Sequence, residues 1–98
     1  MNVWVDDLRD APEGYTHVKS VDRAIELIAN CLREGVEIAV LDLDHDAGDF
    51  YSDGGDYIRI LDWLECAGIS VPIRIHTMNP VGRQNMLNII ERNGWKLI

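Results

Sequence analysis

Acidic and imidazole side chains close three apolar runs of this chain. Asp6-Asp7 ends the first, Asp42-Leu43-Asp44-His45-Asp46 ends the second, and His76-Thr77-Met78-Asn79 ends the third. Carboxylates can ligate a hard cation, accept a phosphoryl group or move a proton. Imidazole can ligate, or act as acid and base. Gathered in one place, Asp6, Asp7, Asp44 and Asp46 would repel, because two like charges about 4 Å apart cost roughly 4 kcal/mol at an effective dielectric near 20. Either some of these acids hold protons at neutral pH, or a cation sits among them. Oxygen ligands at this density suit Mg²⁺ or Mn²⁺, with waters in the open positions. His45 or His76 would tilt the choice toward Mn²⁺ or a later transition metal.

The third cluster carries an opposite field. Asn79 followed by Pro80 is the chemistry of a helix start, a capping side chain and then a residue with no N–H to satisfy. The free N–H groups and dipole of that helix favour an anion near Asn79–Gly82, and Arg83 in the first turn can grip a phosphate in two-pronged fashion. A cation site facing an anion site is the layout for a phosphoryl group bridging the two. His45 and His76 are the candidate proton carriers. Asp42 points the same way as Asp44 by strand alternation. Asp49, Asp53 and Asp56 read as turn and cap chemistry, His17 as a surface strand residue, and the tryptophans as core.

These groups meet only if their strands are neighbours. Asn2–Val5 and Tyr15–Val18 read as strands, separated by a polar loop that holds Pro12 and Gly14. Ser20 caps a helix in which Val21, Ala24, Ile25, Ile28, Cys31 and Leu32 recur at helical spacing up to Gly35. Ile38–Leu43 reads as a buried parallel strand and Ala47–Gly55 as a loop. Tyr57–Ala67 reads as a helix with Ile58, Leu61 and Leu64 on one face, stopped by Gly68. Val71–Ile75 is the next strand. The helix after Asn79 sets Met86, Leu87 and Ile90 toward the core and ends at Gly94, and Trp95–Ile98 closes the chain as a last strand. Strands alternating with helices imply a mostly parallel sheet covered on both faces, which binds ligands beyond the carboxyl ends of its strands.

Composition narrows the partners. The chain has 98 residues, 47% of them hydrophobic, which suits one domain spanning 1–98. No apolar run approaches the roughly 20 residues of a bilayer span, and the start lacks the pattern of a signal peptide, so a cytoplasmic protein away from membranes is expected. A net charge of −8 disfavours duplex DNA but leaves room for a small phosphate ligand. Cys31 and Cys66 are expected as core thiols.

Strands ending in Asp6-Asp7, Leu43-Asp44 and Thr77 resemble the receiver domain of two-component signalling. That resemblance implies Mg²⁺ held by Asp6, Asp7 and Asp44, with Asp44 as phosphoacceptor and Thr77 in contact with the phosphoryl group. Val5-Asp6-Asp7-Leu8-Arg9 with Pro12, Leu43-Asp44-His45-Asp46-Ala47-Gly48-Asp49, Gly55-Asp56-Tyr57 with Trp63-Leu64, and His76-Thr77-Met78-Asn79-Pro80-Val81-Gly82-Arg83-Gln84-Asn85-Met86 more closely resemble the cyclic-phosphate processing receiver domains. The implied fold is a three-layer, flavodoxin-like α/β domain with a mostly parallel five-stranded sheet, truncated by loss of the first and last receiver helices. The implied function is binding or hydrolysis of a cyclic phosphate on a nucleotide or RNA end. Asp6, Asp7 and Asp44 would hold the metal and Thr77, Asn79, Gly82 and Arg83 the phosphate. His45, His76 and Asp46 are the candidate acid/base groups, and His45 and Asp46 occupy positions where true receivers have no such pair. A non-catalytic binder of a cyclic nucleotide and a phosphoacceptor receiver are the alternatives.

Overall fold

The computed structural model describes residues 1–98. Its strands are Asn2–Val5 (β1), Tyr15–Val18 (β2), Val40–Leu43 (β3) and Ile73–Ile75 (β4), all parallel in the order β2-β1-β3-β4. Its helices are Val21–Glu34 (α1), Ile58–Ala67 (α2) and Pro80–Asn93 (α3). The expected start of β4 at Val71 moves to Ile73, since Pro72 has no N–H to give a ladder.

Helix ends follow local chemistry. The Ser20 side chain accepts from the N–H of Arg23 at 3.2 Å, and Gly35 closes α1 in the left-handed region at φ 71°. The Asn79 side chain accepts from the N–H of Gly82 at 3.0 Å, with Pro80 at the first helical position. α2 starts at Ile58 without a side-chain cap. The Asp56 carboxylate accepts instead from the Ala47 N–H at 2.9 Å and so closes the β3–α2 loop on itself.

Sheet order decides where the helices lie. Each of β2→β3 and β3→β4 moves in the same direction along the sheet, as does the path from β4 to the C-terminal segment. Right-handed crossovers then place α1, α2 and α3 on one face. Their buried side chains, including Ala24, Ile28, Leu61, Leu64, Met86 and Ile90, form a single core with Val3, Val5, Leu41, Leu43, Ile73 and Ile75. These strand residues alternate along β1, β3 and β4 and share that face.

Only β1→β2 moves the opposite way, and it has no helix. The expected helical cover of the second face is therefore replaced by the β1–β2 loop. The Trp4 indole N–H donates to the Arg9 carbonyl at 3.1 Å, and the Arg9 guanidinium donates to the His76 carbonyl at 3.2 Å. The third layer is irregular chain.

The expected fifth strand, Trp95–Ile98, is reduced to one bridge between Leu97 and Ile73. β4 has only three residues to offer, and Ile73 alone uses both its N–H (to Lys96, 2.9 Å) and its carbonyl (from Ile98, 2.8 Å) on that edge. The Ile75 carbonyl accepts from the Arg83 guanidinium at 2.9 Å, in place of a longer strand. Cys31 is buried, but Cys66 is exposed and is not a core thiol. No helix is long and apolar enough to cross a membrane.

Candidate functional site

The last paired row of the sheet is Val5, Leu43 and Ile75, all facing the helices. One residue further, the chain direction alternates, so Asp6, Asp44 and His76 emerge together toward the second face. Their ligand atoms lie within 4.8 Å of one another. The preceding row on that face, in register, is Trp4, Asp42 and Arg74. His76 leans back over this row. Its ring stacks on the Trp4 indole with centroids 3.8 Å apart and planes 3° from parallel.

Both imidazole nitrogens of His76 face carboxylates, Nδ1 at 2.7 Å from Asp42 and Nε2 at 2.9 Å from Asp6. With both acids ionised, each nitrogen must donate, which favours the imidazolium form of His76. Burial alone would lower its pKa. The hydrogen bonds to Asp42 and Asp6, with their charges, outweigh that and raise it above the usual 6.5. Asp6 is fully buried, which would raise its own pKa. The N–H groups of Arg9 and Leu8, each 2.8 Å from Oδ1, and the imidazolium on Oδ2 pull it below the usual value instead. The cation that the acid cluster demands is thus supplied by the chain itself. Parallel stacking on Trp4 adds the attraction of a cation for a π face.

Asp7 is held beside this triad. Its carboxyl pKa is raised by burial and then by the charges of Asp6, Asp44 and Asp49. It packs against Gly48, where a Cβ would fall on its carboxylate. Asp7→Asn, which removes the charge that these three neighbours oppose, should therefore raise the melting temperature at pH 7. A fall in that melting temperature would contradict the repulsion.

A second cluster joins β3 to α3. His45 Nδ1 is 2.8 Å from Asp46, and the Asn79 amide donates to the same carboxylate oxygen at 3.3 Å. Donation of Nδ1–H to Asp46 would leave the Nε2 lone pair of His45 free. Asp46, Asp56 and His45 form a further group with ligand atoms within 4.8 Å. The His45 ring packs against Gly82, where a Cβ would come 2.5–2.8 Å from three ring atoms. Gly82→Ala suits a helix but displaces that ring. We expect an intact fold by circular dichroism and a shifted His45 imidazole resonance; an unmoved resonance would show that the ring has room.

The expected phosphate residues divide. Thr77 is 8% exposed, and its hydroxyl accepts from the Asn79 N–H at 3.1 Å, so it shapes the turn into α3. Asn79 and the Gly82 N–H satisfy each other, and Arg83 is exposed with one guanidinium nitrogen on the Ile75 carbonyl. Tyr57 is fully buried, donates to the Lys19 carbonyl at 2.7 Å, and has its phenol pKa pushed up by burial and then by Asp7, Asp6, Asp44 and Asp56. The main groove of the molecule, about 330 Å³ between α3 and the C-terminal segment, shares no residue with these clusters. The acids instead lie on an open edge.

Sequence reasoning missed three participants. Asp42 was signalled by its alternation with Asp44, but its partner was not. Trp4 stacks on an imidazole rather than serving only as core. Arg9 ties the β1–β2 loop to β4.

The same donors would hold a divalent cation once His76 gives up its Nε2 proton: Asp6 and Asp44 then offer oxygens and Nε2 a nitrogen, and Asp42 on Nδ1 is the outer partner that orients a metal-bound imidazole. No curated protein and no solved structure matches the chain. Residues 1–92 match the profile of one family, the cyclic-phosphate processing receiver domain. With the parallel sheet in order β2-β1-β3-β4, and acids at the ends of β1 and β3, the chain belongs to that family.

Proposed function

We propose that this domain binds a cyclic phosphate ester, on a nucleotide or RNA end, at the open edge formed by β1, β3 and β4, and hydrolyses it. The observation that carries the reading is the register row Asp6–Asp44–His76 standing beside the His45–Asp46 pair at the start of α3. Asp6, Asp44 and His76 would hold Mg²⁺ or Mn²⁺, with Asp7 alongside; the nitrogen ligand favours Mn²⁺. When bound, such an ion polarises a phosphoryl oxygen and lowers the pKa of water.

The chain's own groups would do the rest. His45 Nε2 takes the proton from water as its oxygen bonds to phosphorus. One ring P–O bond breaks, and the departing oxygen takes the proton held on His45 Nε2 to become a hydroxyl, which returns His45 to its starting form. Asp46 holds the ring of His45 and stabilises its charged form. Arg83 and the first turn of α3 face the charge that develops on the phosphate.

The test is turnover of 2′,3′-cyclic nucleotides with Mg²⁺ or Mn²⁺. His45→Ala should lower the rate by about 100-fold or more. Thermal stabilisation by the nucleotide without product would convert the reading to a binding module. A single added phosphoryl group on Asp44 from acetyl phosphate, with no turnover, would replace it with a phosphoacceptor receiver.

A further inference from the structure

The most exposed large apolar side chains of the protein are Leu8 at 85%, Met78 at 81%, Val81 at 70% and Tyr51 at 61%. Single exposed apolar groups carry no message. These four share an address. Leu8 follows Asp7 in the β1–β2 loop. Tyr51 follows the short 3-10 turn Gly48–Phe50, whose first residue abuts Asp7. Met78 and Val81 flank Asn79, which holds Asp46. All four therefore lie in the segments that follow the carboxyl ends of β1, β3 and β4, the edge where Asp6, Asp44 and His76 emerge, and none belongs to the core.

Asp7, Asp46, Asp49 and Asn79 stand in the same segments, so apolar side chains share that edge with polar ones. A flat partner-protein surface or an amphipathic helix needs a continuous apolar stripe. A small ligand with a charged head and a flat apolar body needs what is present, and the open edge admits such a body beside the head. An isolated phosphate ester would gain nothing from these side chains.

Resting on the function proposed above, we infer that Tyr51, with Leu8, Met78 and Val81, forms an apolar collar that stacks the nucleobase of the ligand whose phosphate sits among Asp44, His45 and Arg83. These are specificity-determining residues, and the domain discriminates nucleoside cyclic phosphates from cyclic phosphates without a base. Tyr51 is the principal platform, because base stacking on an aromatic ring accepts any base.

The experiment measures Kd by calorimetry for a 2′,3′-cyclic nucleotide and for glycerol 1,2-cyclic phosphate, which has the same ring and no base. The wild type should bind the nucleotide at least about tenfold more tightly, and Tyr51→Ala should weaken the nucleotide by about 5- to 100-fold while leaving the base-free ligand unchanged. Tyr51→Phe should restore the nucleotide affinity. Tyr51 is exposed, so its substitution leaves folding intact. Equal affinity for the two ligands, or a Tyr51→Ala protein that binds both like the wild type, overturns the collar while leaving the cyclic-phosphate site standing. Self-association of the wild type that disappears in Tyr51→Ala, with unchanged nucleotide affinity, overturns it in favour of a contact between copies. Binding of neither ligand sinks the collar and the cyclic-phosphate reading together.

Discussion

His76→Leu should be the most damaging single substitution in this protein. It leaves Asp6 and Asp42 buried with no counter-charge, and removing one partner from a buried pair typically costs about 3–5 kcal/mol. For a domain of this size that is a fall of more than about 10 °C in melting temperature. Replacing Asp42 and His76 together by Asn and Leu should cost less than the sum of the two single changes, because Asp6 alone is then left without its counter-charge. The pH dependence follows from the two shifts. His76 has a raised pKa when folded, so its contribution is complete below the unfolded value of about 6.5 and is lost as pH rises through the higher folded value. Asp6 has a lowered pKa, so its contribution is present above the usual 3.8 and is lost as pH falls through the lower folded value. The gap between wild type and His76→Leu should be widest between these limits, near pH 5–6, and should narrow toward pH 9. A gap that is constant across that range would show that the imidazolium is not what holds the acids.

Affinity for Mn²⁺ should fall steeply with acid. The proposed ion and the imidazole proton compete for the same nitrogen, Nε2, which is 2.9 Å from Asp6. Below the folded pKa of His76, each ion bound must release about one proton, so affinity should drop about tenfold per pH unit. Calorimetry in two buffers of different ionisation enthalpy reads that proton directly. Asp42→Asn should lower the affinity by about 10- to 100-fold, because it removes the acceptor that aims the ring. Affinity that is flat between pH 5 and 7, with no proton released, would remove His76 from the ligand set. Asp6 and Asp44 would then act alone.

Much of this arrangement was legible in the residues. Strand ends marked by Asp6, Asp44 and His76 placed three polar groups on one edge, and the family resemblance led to the same place. Asn79-Pro80 announced the helix whose first turn carries Gly82 and Arg83. Alternation predicted that Asp42 shares a face with Asp44. The partner of Asp42 was not legible, because the contact depends on how β1, β3 and β4 are offset, and no single strand carries that offset. Trp4 beneath His76 was hidden for the same reason. The last strand shrank to one bridge because Pro72 shortens its neighbour, an effect that Trp95–Ile98 does not display in its own sequence. Cys66 sits among apolar residues in the chain yet faces outward, because α2 buries only Ile60, Leu61 and Leu64.

The alignment of Trp4 with Asp42, and of Leu43 with both Val5 and Ile75, has an evolutionary corollary. The constellation is spelled by counting along the backbone, so its tolerance to change is lopsided. Many side chains can drift while the spacing survives, yet losing or gaining one residue inside β3 would throw Asp42 and Asp44 among the hydrocarbons and turn Leu41 and Leu43 out to water. Natural diversity should therefore accumulate as length variation in the β1–β2 and β3–α2 loops, while the three strands keep a fixed count.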